Sequence, residues 1–160
     1  MPAGALNTHP ATEGQLFDAI GGARLVSGRL NLRQGTTAAT ALKIDACTVR
    51  MNGSNVAVAA AEPAFTATTH DIADPDANGR EAIYLVLLAR NGTVTIVKGT
   101  DAALGAALEP TSSADTMCIG RVKIAHNGTA IFDATTDSLS AAHLTVTYED
   151  RVLPLAYASA

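Results

Sequence analysis

The chain has 160 residues, 48% of them hydrophobic but only 4% aromatic, with no Trp and a formal net charge of -4. That length suits a single domain able to bury a core without disulfide or metal staples, and the acidic balance excludes a general nucleic-acid binder, which needs a concentrated basic surface. No run reaches the roughly eighteen apolar residues of a membrane span, and residues 1–10 carry neither a basic nor an apolar leader segment, so the expected setting is synthesis in cytoplasm with no membrane partner.

Residues 1–35 read as an N-terminal arm. Thr12 can cap a short helix over residues 13–20 that Gly21-Gly22 would end. The following stretch alternates only in part, which fits either a helix plus an edge strand or an extension docked on a partner. Arg24, Arg29 and Arg33 stand there with no acid among them, as solvated charges or as contacts for an acidic protein surface.

Residues 36–160 read as a β-rich body with a C-terminal tail. Three Asn-Gly dipeptides lie between β-forming runs: Asn52-Gly53, Asn91-Gly92 and Asn127-Gly128. Asn-Gly tolerates the positive φ of a tight turn whose twist matches the strands it joins, so a hairpin is expected at each. In the first, Cys47, Val49 and Met51 share a face, and Val56 and Val58 resume the period of two after the turn. A short strand is expected over residues 65–69, then a polar loop over residues 71–80.

The second hairpin pairs residues 82–89, apolar on both faces, with Thr93-Val94-Thr95-Ile96-Val97. A strand apolar on both sides is central in a sandwich or covered by another subunit. A short helix over residues 101–108 is expected to follow, stopped by Pro110. In the third hairpin Val122 and Ile124 point inward, Arg121 and Lys123 outward, and Ile131-Phe132 return. Leu144, Val146 and Tyr148 alternate with Thr145, Thr147 and Glu149 in a last strand, and residues 152–160 form an apolar tail, docked or disordered. The fold class is thus mainly β: an antiparallel hairpin sandwich or barrel with one or two short helices and an N-terminal arm. Because Ala offers little area at ~25 cal/mol per Å² of burial, the core is thin, and a homo-oligomer that buries part of the Tyr84, Val86, Leu88 face or the apolar ends of the chain is expected to supply more.

Motifs for chemistry are weak. Asp74-Pro75-Asp76-Ala77-Asn78-Gly79 has the D-x-D-x-N-G opening of a calcium loop, but the twelfth position, which needs a bidentate Glu, is Leu85, and an Asx-type turn explains the same residues. His9, His70, His126 and His143 lack zinc spacing, His70-Asp71 would point to opposite faces of a strand, and His126 reads as a surface residue. Cys47 and Cys118 read as small buried hydrophobes. No nucleophile elbow or phosphate loop is present, so no catalytic residue, metal or cofactor is assigned.

The segment Ile83-Tyr84-Leu85-Val86-Leu87-Leu88-Ala89-Arg90-Asn91-Gly92-Thr93-Val94-Thr95-Ile96-Val97-Lys98-Gly99-Thr100, followed by an Ala-rich helix, Pro110 and the strand Cys118-Ile119-Gly120-Arg121-Val122-Lys123-Ile124, resembles a pattern of tailed-bacteriophage virion proteins, namely capsid decoration (cement) and head-fibre-like proteins. Residues 22–28 and 133–139 fit the same pattern. The resemblance implies a non-enzymatic structural protein on the capsid exterior, a homotrimer at three-fold or quasi-three-fold positions that binds the major capsid protein. Arg24, Arg29 and Arg33 would then face capsid carboxylates. A tail-fibre or carbohydrate-binding β-module of a phage particle is the alternative.

Overall fold

Alternating and two-sided apolar runs become strands throughout the computed structural model, which describes residues 24–37, 39–113 and 115–154. In chain order these are β1 (Arg24–Gly28), β2 (Arg33–Gln34), β3 (Leu42–Lys43), β4 (Cys47–Met51), β5 (Ser54–Val58), β6 (Arg80–Ala89), β7 (Val94–Lys98), β8 (Ala102–Ala103), β9 (Thr116–His126), β10 (Leu144–Asp150) and β11 (Leu153–Pro154). One sheet has the order β11-β1-β4-β5 and a second β10-β9-β6-β7, with β8 also against β6; β2 and β3 form a separate pair. All pairings are antiparallel except β1 with β11.

Both larger sheets contribute to one apolar core. Val49 and Val58 from the first sheet and Tyr84, Leu88, Val122 and Ile124 from the second belong to a single buried cluster. The period of two puts Arg121 and Lys123 on the opposite face of β9, as the sequence leads one to expect. Phe65, Phe132 and Tyr84 meet edge to face at centroid distances of 5.2–6.4 Å, so three of the few aromatic side chains are concentrated at one point.

The second apolar face of β6 is covered by the chain itself. Ile83, Leu85 and Leu87 are buried within the single chain. Gly99 donates to the Ile83 carbonyl at 2.7 Å, and Glu109 reaches Arg121, which lies opposite Leu85 in the β6–β9 ladder. The segment after β7 thus runs along the edge of β6 and returns to its outer side at Glu109, and β6 is central in its sheet.

Two of the three Asn-Gly pairs make hairpins. At Asn52-Gly53 both residues have positive φ, 48° and 80°, and Met51 pairs with Ser54, which is a two-residue type I′ turn. At Asn91-Gly92 only Gly92 is left-handed; its N–H donates to the Ala89 carbonyl while the Ala89 N–H donates to Thr93, which is a three-residue loop of the type I plus bulge kind. The expected third hairpin does not form. β9 pairs over Gly120–His126 with β10 instead, and Phe132 makes only an isolated bridge to Ile72. The seven-residue strand Leu144–Asp150 offers β9 a longer ladder than the few residues after Gly128 can.

No helix occurs among the described residues. The one expected over residues 101–108 is replaced by β8 and a turn at Gly105, whose φ is 86°. Eight residues are too few to be stable alone, an interior Gly costs about 1 kcal/mol, and Asp101 is held by Lys98 at 2.6 Å. The strand expected over residues 65–69 is a turn with Thr68 at positive φ. The helix over residues 13–20 lies outside the described residues. The arm does not end at residue 35: β1 lies between β11 and β4, and Leu30 and Leu32 are buried in the core. Val152 is likewise buried, and the tail enters the same sheet as β11.

Candidate functional site

Tyr84, Val86 and Leu88 are each 0% exposed in the single chain. A side chain with no area left cannot bury more on a partner, so these three are core residues and not an oligomer interface. Their face of β6 meets the other sheet, and Tyr84 donates its hydroxyl to the His70 carbonyl at 2.6 Å. Burial pushes the Tyr84 phenol far above its ordinary range.

The three arginines have different fates. Arg24 enters β1, its backbone paired with Arg50 and Leu153. Arg29 is exposed. Arg33 has an acid after all: its guanidinium grips Asp45 at 2.7 and 3.0 Å and also donates to the Asn31 carbonyl. Hydrogen bonds from Arg33 and Asn31 hold the Asp45 carboxyl down to about 2, and the Arg33 guanidinium is raised in turn. Twelve residues separate the pair in sequence, which is why reading along the chain missed it.

The Asp74–Gly79 loop is built as an Asx turn. Asp76 Oδ1 accepts from the Asn78 N–H at 2.9 Å, Gly79 N–H donates to the Asp76 carbonyl, and Asp74 pairs with Arg80 at 2.9 Å. Its oxygens thus serve the loop and β6. Among the described residues no group of three or more His, Cys, Asp or Glu is placed to hold a metal ion.

His70 and His126 serve the fold too. His70 Nδ1 accepts from the Thr66 N–H at 2.7 Å, so Nε2 carries the proton donated to the Ile96 carbonyl. Asp71 turns elsewhere, accepting from Thr68 and Ala134, so the two do not act as a base and its orienting carboxylate. His126 is not a surface residue: it is 1% exposed, on the inner face of β9, and its Nδ1 accepts from the Gly128 N–H. Cys47 is buried and Cys118 half-buried; both are free thiols raised by burial.

Two polar arrangements were not foreseen from sequence. Glu62 Oε1 and Oε2 accept from the backbone N–H groups of Thr36 and Thr37, while Lys43 donates to Thr36 Oγ1 at 2.7 Å. They border an open hollow of about 480 Å³ lined also by Ile44, Ala60 and Ala61. On the outer face of the second sheet, Arg151 grips Glu109 at 2.6 and 2.9 Å, and Arg121 joins Glu109 to Glu149. This four-membered network fastens the loop beside two large exposed apolar side chains, Leu104 and Leu108, at 53% and 66%. Its members lie between 12 and 42 residues from their partners except for Glu149 with Arg151, so no local pattern announces it.

Side chains so arranged can hold turns, fasten a loop and present apolar surface. No family model matches the chain, and no curated protein or solved structure matches it either.

Proposed function

We propose that the chain is a structural virion subunit that decorates and stabilises an icosahedral phage head, as a homotrimer at three-fold or quasi-three-fold positions, with the major capsid protein as its partner. The observation that supports this reading is that the two longest segments bearing the sequence resemblance pair in one sheet. Residues 83–100 form most of β6, its turn and all of β7, and residues 118–124 lie in β9, so these stretches make up three adjacent strands of the second sheet.

Leu104 and Leu108 are the apolar area offered to a second copy, in place of the buried Tyr84 face. Arg29, exposed on the segment between β1 and β2, is offered to a carboxylate of the capsid. The test is retention of the purified chain on phage heads assembled without it. The intact chain is expected to co-sediment with such heads and raise their resistance to heat, and Leu108→Glu, an exposed and fold-neutral change, is expected to weaken retention. Failure of the intact chain to bind under any ionic strength that preserves the heads contradicts the proposal.

A further inference from the structure

The three Asn-Gly pairs share one intrinsic reactivity, and the fold treats them differently. The backbone nitrogen of a Gly that follows Asn can attack the Asn side-chain amide, because Gly has no side chain to obstruct the approach. A hydrogen bond to that nitrogen, or to the amide oxygen, holds the reacting groups apart.

At Asn91 both restraints are present: Gly92 N–H donates to the Ala89 carbonyl at 3.0 Å, and Asn91 Oδ1 accepts from the Thr93 N–H at 3.0 Å. Asn127 is restrained the same way, with Gly128 N–H on His126 Nδ1 at 3.1 Å and Asn127 Oδ1 on the Thr129 N–H at 3.0 Å. Asn52 has neither. Among the described residues its amide has no hydrogen-bond partner, the Gly53 N–H has none, both residues are exposed, and a Cβ placed on Gly53 would meet nothing within 4 Å.

We propose that Asn52-Gly53 is a site of spontaneous covalent modification, a succinimide-forming turn that converts with time to aspartyl and isoaspartyl. The Gly53 nitrogen gives its proton to solvent base and attacks Asn52 Cγ. The new N–C bond closes a five-membered ring, the Cγ–Nδ2 bond breaks, and ammonia leaves with a proton from water. One water then adds to either ring carbonyl and opens the ring. The net exchange is one water taken up for one ammonia released, with one negative charge gained at position 52.

The isoaspartyl product carries an extra methylene in the main chain. A two-residue turn has no slack for it, since Met51 and Ser54 are directly paired across the turn. β5 is an edge strand of its sheet, so its displacement would loosen Val56 and Val58 from the core before it disturbed the central strands.

The test is peptide mapping of the intact chain during storage at mildly alkaline pH, folded and in concentrated urea, with isoaspartyl methyltransferase labelling as a second readout. Two hydrogen bonds of ordinary net strength restrain each of the other sites, which corresponds to a slowing of roughly tenfold or more. In the folded chain Asn52 is therefore expected to convert about tenfold faster than Asn91 or Asn127, and in urea the three rates are expected to converge. Asn52→Gly, which keeps a type I′ turn, is expected to remove the leading signal and leave the melting curve unchanged. Conversion of Asn91 or Asn127 as fast as Asn52 in the folded chain overturns the proposal, as does a folded chain in which Asn52 stays intact while it converts in urea.

Discussion

Single residues decide where this chain's polar atoms go. Tyr84 is the clearest case: its ring fills the centre of the core while its hydroxyl satisfies the His70 carbonyl, fixing the turn that carries His70 against β6. Tyr84→Phe keeps the ring and leaves a carbonyl without its donor, so it is expected to cost about 1–3 kcal/mol, read as a lower urea midpoint at unchanged slope. Asp45 gives a pH signature. Its carboxyl is held down to about 2 in the folded chain, against an ordinary value of about 3.9, so the stability it contributes is fully present above the ordinary value and is lost as pH falls through the folded one. Asp45→Asn is expected to be less stable than the parent near neutrality, with the difference shrinking between about pH 4 and pH 2; thermal melts across that range measure it. A difference that stays constant to the bottom of the range contradicts the assignment to the Arg33 pair.

Elements show what could be read in advance. β6, β7, β9 and β10 were legible because a period of two, a two-sided apolar run and Asn-Gly turns are local signals, and the structure places Val122, Ile124, Val49 and Met51 inward as the alternation requires. The partner of β9 was not legible, since the choice of β10 over the residues after Gly128 depends on the length of ladder available 18 residues downstream. The helix over residues 101–108 failed for a tertiary reason: Lys98 claims the Asp101 carboxylate and β6 offers Ala102 and Ala103 a strand edge. The candidate interface failed because periodicity says that both faces of β6 are covered and does not say by what. That residues 24–34 belong to the sheets and core was hidden for a similar reason, since β1 looks irregular in isolation: its pairing with β4 shifts register between Leu25 and Ser27. Removing residues 1–33 deletes β1, Leu30 and Leu32, so that truncation is expected to abolish the cooperative unfolding transition. A truncated chain with a sharp melt would show that β1 is dispensable.

At the scale of the molecule, a chain poor in aromatic side chains closes one core between two sheets and still leaves Leu104 and Leu108 in solvent. The loop bearing them is fastened by Glu109 to Arg121 and Arg151, and such a network holds geometry more than it adds stability at an exposed site. A fixed, apolar, outward loop suits repeated contact with identical neighbours, where a closed cyclic arrangement consumes every copy of the patch. The central claim is therefore about assembly, and sedimentation equilibrium of the purified chain tests it most directly. The account predicts a single species of about 49 kDa, three times the 16.3 kDa chain, persisting into the micromolar range. A species of 16.3 kDa at high micromolar concentration would contradict it.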